Sequence, residues 1–537
     1  MKNIKRNCVV LNDCRGMPED EIIEIILKDR GINNVDEFLS PSEKYLIPFK
    51  KLKNIDKAVD IVEKGIIENK NFSILWDVDL DGVASGAIIH RYLSHFTKNI
   101  RSYINNGKAH GLFNQDLNRF YGTDILIIVD SLDMDITQYK KIKEMGIECI
   151  VLDHHDIDAS INYDDYITLI SSQRNYPNPS LSGAGVVWKF CKYYDEIMLE
   201  DYADNYIDLA ACGLVADMVD ISEDSMENRY IIYKGLNNKL NPAIKKIVGS
   251  FTFNSKAIAY SIAPLVNAAN RMKRNELAMM AFLSDDNKDV LKYVKELKKC
   301  KEDQNIEVNN LLDEILLQAN KQIDEKLIYV FIKSDAEIAG LIGNKLLELY
   351  QRPLLILRDK EESYGGSARA IGVNDFRKTC HETGLCEANG HPLAFGININ
   401  KDDFENFIEQ IKNSLKDEEF VITTTIDIEL ELGDITRELI DSIKKLDFIS
   451  GAGFKPITAK VCGVNVYEIG NMSQYKHLVV KPNDYTDIIY WNWNGSFDEM
   501  EDNSMMQEPL TVVCNLDSGF IGRRFSLQLI CQSLEVE

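Results

Sequence analysis

The chain has 537 residues, 85 acidic against 61 basic side chains and a formal net charge of −24, with 45% hydrophobic and 27% charged residues. That balance excludes general disorder, and the strongest apolar runs, such as Ile125 to Val129, are too short to span a membrane. Met1 to Met17 is broken by Lys2, Lys5, Arg6, Asp13 and Arg15 and lacks the apolar stretch of an export signal, so the 11 cysteines are expected to be reduced thiols in a cytoplasmic protein.

At roughly 150 residues per domain, this length predicts three or four domains. The first fifty residues read as helical and loop-rich, with a short helix over Glu21 to Lys28 that stops near Gly31. Asp56 to Lys70 then carries Ala58, Val59, Ile61, Val62, Ile66 and Ile67 at helical spacing. After it the pattern becomes β/α alternation. Phe72 to Trp76 is a strand, Val83 to Leu93 a helix, Ile125 to Val129 a strand, Ile136 to Glu144 a helix and Cys149 to Leu152 a strand. Short apolar strands separated by helices predict a parallel sheet covered on both faces.

Residues 275 to 322 are rich in Lys, Glu and Leu without proline, which predicts a long connecting helix. A second α/β unit follows, with strands at Ile328 to Ile332 and Leu354 to Leu357 and helices at Ile338 to Tyr350 and Phe404 to Leu415. From Phe420 onward short strands predominate, and their number and spacing predict a small β-barrel of the OB type. The predicted domains are therefore 1–70 (helical), 71–274 (parallel α/β), 275–324 (connecting helices), 325–418 (second α/β) and 419–537 (barrel).

Three of the predicted strands end in acid. The first runs into Asp77-Val78-Asp79-Leu80-Asp81-Gly82, the second into Asp130, and the third into Asp153-His154-His155-Asp156. In an open parallel sheet the carboxyl ends of the strands line the ligand crevice, so these side chains converge. Packed carboxylates repel in a low-dielectric cleft and call for cations, and imidazole among them selects Mn²⁺, Fe²⁺, Zn²⁺ or Mg²⁺ over Ca²⁺. Asp217, ending the apolar segment Leu209 to Ala216, completes a mixed oxygen and nitrogen set large enough for two metals. An aspartate bridging paired cations fits phosphate-ester hydrolysis, in which one ion lowers the pKa of the attacking water and the pair clamps the transition state. Asp77 to Gly82 opens like a calcium loop, but Ile88 stands where that loop needs its bidentate glutamate. No phosphate-binding loop of the G-x-x-x-x-G-K-[ST] type is present, and Cys380, His381, Cys386 and His391 fit no common zinc spacing.

These motifs resemble those of the DHH phosphoesterase superfamily and, within it, the RecJ family of single-strand-specific 5′ to 3′ DNA exonucleases. The matching residues are Asp77-x-Asp79-x-Asp81-Gly82, Val129-Asp130, Asp153-His154-His155 and Gly213-Leu214-Val215-Ala216-Asp217. Further blocks that resemble the family are Phe38-Leu39-Ser40-Pro41, Leu181 to Val186, Glu227-Asn228-Arg229, Ala263 to Met272, Gly340-Leu341-Ile342-Gly343 and Gly451 to Pro456. The resemblance implies a DHH catalytic domain, a long connecting helix, a DHH-associated second domain and an OB-type barrel. It implies Asp79, Asp81, Asp130, His154 and Asp217 as ligands of Mn²⁺ or Mg²⁺, with two ions expected. Asp77 is implied as a ligand or an acid behind the ligands, His155 as a phosphate contact, and Asp77, Asp130 and His155 as carriers of the chemistry.

In the second lobe, Gly366-Ser367-Ala368-Arg369 and Asn389-Gly390-His391 are similar to substrate-binding signatures. Glycines let backbone amides approach an anion, and Arg369 can fork onto phosphate oxygens. The resemblance implies Ser367, Arg369, His391 and Arg271 as phosphate contacts, with Lys108 standing in the loop where the family carries an arginine. Asn270 and Asn389 replace family glycines. Trp491, Trp493, Tyr485 and Tyr490 are stacking candidates for a nucleic acid, or barrel packing residues. The implied partner is single-stranded DNA, with a helicase or single-strand-binding protein as a further one, for a monomer without a membrane. Two alternatives stand beside this reading. One is a phosphoesterase of short oligonucleotides or cyclic dinucleotides; the other is a scaffold of the same fold that has lost catalysis.

Overall fold

The structure, a computed structural model, describes residues 4–105, 111–113, 115–334, 337–472, 477–491 and 508–536. It divides into two compact units. The larger comprises residues 10–270, 274–297 and 426–537, the smaller residues 1–9, 271–273 and 298–425.

The larger unit is built on a five-stranded sheet in which every neighbouring pair is parallel. Its spatial order is Ile100–Ile104, Phe72–Trp76, Ile125–Val129, Glu148–Asp153, Thr168–Ser171. The two central strands are buried at every residue because helices cover both faces. Ile74, Trp76, Ile125, Ile127 and Val129 join one apolar cluster, while Leu75, Leu126 and Ile128 join another on the opposite face, as the period of two requires. Helix Leu80–Leu93 lies close over the sheet: a Cβ on Gly86 would fall 2.0 Å from the Trp76 ring. Strand order reverses between Phe72–Trp76 and Ile125–Val129, and that switch point is where a doubly wound sheet opens its crevice.

The edge strands Ile100–Ile104 and Thr168–Ser171 and the strand Ile4–Asp13 depart from the sequence reading. The last pairs with Phe420–Glu431, more than 400 residues away, so no local signal marks it. Strand Phe420–Glu431 heads an eight-stranded sheet with Ala459–Val464, Leu510–Ile521, Arg524–Val536, Thr486–Tyr490, His477–Lys481 and Glu468–Met472. The expected barrel is not found closed: among the described residues the sheet keeps two edges, Ile4–Asp13 and Glu468–Met472. The N-terminal strand caps one edge instead of leaving it to pair with the other. Helix Arg437–Leu446, absent from the sequence reading, buries Leu439, Ile440, Ile443 and Leu446.

The smaller unit holds a mixed sheet ordered Cys386–His391, Ala394–Asn400, Ser363–Arg369, Leu354–Asp359, Ile328–Phe331. Only the last two are parallel; the other neighbouring pairs are antiparallel. The long helix expected over 275–322 is observed as Glu276–Leu283 and Asn287–Asn320. No described helix is long and apolar enough to cross a membrane.

Candidate metal centre

Three strands of the central sheet hand over an acid at the point where the ladder ends. Asp77 follows Trp76 directly, and Asp79 is the N-cap of helix Leu80–Leu93, accepting from the Gly82 N–H at 3.0 Å. A Cβ on Gly82 would fall 2.5 Å from Asp77 Cβ, so only glycine lets the helix start this close to the strand. Asp130 takes a left-handed backbone, φ 55°, which is strained for a non-glycine residue and characteristic of functional positions. Asp217 is the C-cap of helix Ile207–Ala216, where the helix dipole disfavours an anion.

The convergence expected from the sequence is observed. Ligand atoms of Asp81, His154 and Asp217 lie within 4.8 Å of one another, and so do those of Asp77, Asp79 and Asp130. His154 Nε2 stands 3.1 Å from Asp217 Oδ2, 3.2 Å from Asp130 Oδ1 and 3.8 Å from Asp81 Oδ2. Asp130 thus sits between the two groups.

The electrostatics require a counter-ion. Burial, with Asp79 adding repulsion, raises Asp77 well above the usual carboxylate range; burial and neighbouring aspartates do the same to Asp130. Asp81 and Asp217 are pushed up to about 7, by burial first and then by nearby carboxylates. Asp130 Oδ1 is buried without a hydrogen-bond partner. An orphaned carboxylate oxygen between two acid groups, with one imidazole, fits a divalent ion of the Mn²⁺ or Mg²⁺ kind.

Several residues that the sequence reading did not assign hold this arrangement. Asp81 rests on the N-terminus of helix Gly183–Met198: Ser182 Oγ and the Ala184 N–H donate to Oδ1 at 3.0 Å each, and the Gly183 N–H to Oδ2 at 2.7 Å. A Cβ on Gly183 would fall 2.5 Å from Asp130 Oδ1, and one on Gly213 2.0 Å from Asp81 Oδ1. Serine before an apolar helix is a legible cap signal, but its carboxylate partner, a hundred residues upstream, is not. Fully buried Ser131 contacts Asp77 Oδ1 at 3.4 Å and accepts the Gly111 N–H at 2.7 Å. Asp153 accepts the Leu132 N–H at 3.0 Å and lies 2.9 Å from His155 Nδ1. Burial opposes ionising both partners, yet their mutual attraction wins: Asp153 falls below the usual range and His155 is pushed up to about 10. Glu227 and Arg229 serve packing, since Lys189 Nζ meets Glu227 at 2.5 Å and Arg229 lies over the Phe38 ring at 3.4 Å.

In the smaller unit, Gly366 and Ser367 are not in a loop. They lie in strand Ser363–Arg369, paired on both sides, so the glycine leaves room for the Ile356 carbonyl rather than for an anion. Arg369 Nη1 donates to Ser367 Oγ at 2.7 Å. His391 is exposed and shares a row across the sheet with Ala394 and Arg369, which puts it two strands, roughly 10 Å, from Arg369. Arg271 ends helix Ala263–Arg271 and is half-buried. Lys108 and Trp493 lie outside the described residues. Tyr485 is 76% and Trp491 46% exposed, while the Tyr490 hydroxyl donates to the Gln532 carbonyl.

A parallel sheet with metal-binding acids at its strand ends is the mark of a metal-dependent phosphoesterase. Residues 71–214 match the DHH family, N-terminal domain, and the chain thus carries a DHH domain. Beyond it, the chain is similar to the SPβ prophage-derived protein YorK of Bacillus subtilis (strain 168), named as a single-strand DNA-specific exonuclease. The two are 29% identical over 467 residues, covering 79% of this chain and 78% of the other. It is 25% identical over 464 residues to the single-stranded-DNA-specific exonuclease RecJ of the same organism, covering 80% of this chain and 57% of that protein. The crystal structure of RecJ in complex with Mn²⁺ from Thermus thermophilus shares the fold, with a TM-score of 0.76 at 19% identity, over 100% of this chain and 80% of that one.

Proposed function

We propose that the chain is a divalent-metal-dependent exonuclease that hydrolyses the phosphodiester bonds of single-stranded DNA from the 5′ end, during recombination or repair in the cytoplasm. The observation that carries this is the convergence of Asp77, Asp79, Asp81, Asp130, His154 and Asp217 into two neighbouring groups at the sheet's switch point, linked by the 3.2 Å approach of His154 to Asp130.

Asp81, His154 and Asp217 would hold one Mn²⁺ or Mg²⁺ and Asp77, Asp79 and Asp130 the other, with Asp130 between them. Bound there, the ions would make a water nucleophilic near neutral pH and offset the charge gathering on the phosphate. His155 donates to a non-bridging phosphate oxygen through Nε2, because Asp153 occupies Nδ1 and keeps the ring protonated. The Gly183 N–H and Ser182 hold Asp81 still against its neighbours' repulsion. In the smaller unit Arg369, Ser367 and Arg271 bind phosphate, with His391 further along the same sheet face.

We assign residues 71–274 to catalysis, 325–418 to the substrate's phosphates and 419–537, read as an OB-type element, to holding the strand. The eight-stranded sheet favours a polymer over a dinucleotide, since a small substrate needs no such platform. A helicase or single-strand-binding protein would deliver the strand to a monomer.

The test is digestion of 5′-phosphorylated, 3′-labelled single-stranded DNA with Mn²⁺, beside blunt duplex and the Asp130→Ala variant. Loss from the 5′ end, absent in the variant and on duplex, is expected. Survival of long DNA with cleavage of di- or trinucleotides would replace this reading by the short-oligonucleotide one.

A further inference from the structure

The hydroxyl of Ser131 stands where several segments of the larger unit meet, and each of its hydrogen bonds has a forced direction. A serine hydroxyl carries one proton and two lone pairs. The Gly111 N–H donates to Ser131 Oγ at 2.7 Å, and Asn105 Nδ2 donates to it at 3.3 Å. Both lone pairs are thereby taken by groups that can only donate. Ser131 is fully buried, so water does not compete for the proton. The proton goes to the carboxylate in reach, Asp77 Oδ1 at 3.4 Å.

The two donors are themselves held from behind. Asn105 continues strand Ile100–Ile104: its N–H donates to the Trp76 carbonyl at 3.0 Å, and its own carbonyl accepts from Asn275 Nδ2 at 2.8 Å. Asn105 is fully buried and Asn275 nearly so. Gly111 has φ 56°, and a Cβ there would fall 2.8 Å from the Ser131 carbonyl oxygen and 2.9 Å from Asp133 Cβ. Only glycine brings its N–H this close to Ser131. No member of this row carries a charge, so what it supplies to Asp77 is direction.

We infer that Ser131 is a positioning residue of the metal centre. Its proton, aimed by Asn105 and Gly111, holds the Asp77 carboxylate in one rotation and leaves Oδ2 for the cation shared with Asp79 and Asp130. Ligand atoms of those three acids lie within 4.8 Å of one another, so a turned Asp77 withdraws one ligand of three. The neighbouring group has its counterpart in Ser182, Gly183 and Ala184, which fix Asp81 in the same way. A donor that orients a ligand from behind is worth about 10–100-fold in metal affinity or activity. The inference rests on the reading of Asp77 as a metal ligand.

The test is a double-mutant cycle on Mn²⁺ affinity, with free Mn²⁺ followed by electron paramagnetic resonance, in wild type, Ser131→Ala, Asp77→Asn and the double variant. Ser131→Ala should weaken the binding of one ion roughly tenfold, and excess Mn²⁺ should restore most of the hydrolysis of single-stranded DNA. Asp77→Asn should weaken that ion further, and adding Ser131→Ala to it should change nothing more, because the serine acts only through the carboxylate. Alanine also strands the Gly111 and Asn105 N–H groups, so Ser131→Ala should melt at a lower temperature. Ser131→Cys guards against a chain that fails to fold: it keeps the bulk with a weaker donor and should lose most of the same affinity. Equal losses from Ser131→Ala in both backgrounds, or wild-type affinity in Ser131→Cys, would overturn the inference. An Asp77→Asn variant that binds Mn²⁺ like wild type would remove Asp77 from the ligands and the inference with it. If the cycle holds but no single strand is digested, the exonuclease reading fails and the role of Ser131 stands.

Discussion

The metal centre and the strand that carries Ser367 and Arg369 both hold candidate site residues on a sheet, and the chain places them by different routes. At the metal centre Asp77, Asp130 and Asp153 leave the ends of parallel strands, where the ladder stops and no facing strand dictates which way they point. Asp77, Asp130 and Asp153 are each the first or last residue at such an end. In the smaller unit Ser367 and Arg369 project from within a paired strand, two residues apart on one face. Strand ends tolerate side-chain variety at little cost to the fold. Strand faces do not, because each position there is also a packing position.

The largest effect expected is at Asp130, which bears on both metal groups. Asp130→Asn should lower single-strand hydrolysis by at least about 10³-fold and abolish the rise in melting temperature that Mn²⁺ gives the wild type. Without metal the same variant should melt at or above wild type, because a buried carboxylate with an orphaned oxygen has been replaced by a neutral group. A variant that loses stability with EDTA as much as with Mn²⁺ would mark Asp130 as a packing residue, and the contrast between strand end and strand face would collapse.

Two glycines sharpen it. Gly183→Ala puts a Cβ 2.5 Å from Asp130 Oδ1, with the Asp130 side chain as its nearest neighbour, so the carboxylate must swing away. Hydrolysis should fall roughly 10–100-fold, the scale of a misplaced supporting contact, with little change in the melting curve. Gly366→Ala puts its Cβ 1.9 Å from the Ile356 carbonyl oxygen, a backbone atom that cannot move alone. That variant should lose about 1–3 kcal/mol in urea unfolding of the smaller unit, and activity only in proportion.

How much of this was legible in the sequence follows the same division. An apolar run that stops at an acid is visible in one dimension, so the strands at Phe72, Ile125 and Cys149 and the acids at their ends could be read directly. Asp217 was legible only beside the others. The strand Ile4–Asp13 was not, because its partner is at the far end of the chain, nor was Ile100–Ile104, whose edge position leaves it half exposed and without an apolar run. Gly365-Gly366 read as room for an anion to approach the backbone; in the fold the space at Gly366 is taken by the Ile356 carbonyl of the neighbouring strand. Ser131 carries no local mark at all, and Ser182 only that of a helix cap. Each is recognised as part of the site only once its buried partner, Asp77 or Asp81, is in place.

The Asp153–His155 pair allows a smaller perturbation of the metal centre that leaves its groups of ligands in place. The charge of Asp153 is what carries His155 up to about 10, against the downward pull of burial. In Asp153→Asn the largest raising charge is gone, and only Asp77 and Asp217 still oppose burial, so the imidazole should titrate at lower pH. The wild-type ring stays protonated through neutral pH, so its contribution is lost only in strong alkali. In the variant the loss should begin at lower pH than in wild type, moving the alkaline limb of the pH–rate profile down with a roughly tenfold lower plateau. An unmoved limb would mean that His155 does not donate to the substrate.

The mildest expected effect belongs to an acid of the same unit that awaits no ion. Asp208 is buried in helix Ile207–Ala216, accepts the Asn241 N–H at 2.5 Å and is pushed up to about 7 by burial. A folded-state pKa raised above the unfolded value means that the folded chain holds the extra proton between about pH 4 and 7. Its stability contribution is therefore full in acid and lost as pH rises through that window. Asp208→Asn should flatten the fall in stability over the same range while leaving hydrolysis unchanged, read by urea unfolding at pH 5 and pH 8. The gain at pH 8 should be about 1–2 kcal/mol, since relaxation and solvent penetration take up part of the cost of a buried charge. Mn²⁺ should not reduce that gain. If it does, Asp208 belongs electrically to the metal centre, and the two kinds of buried acid in this unit are one.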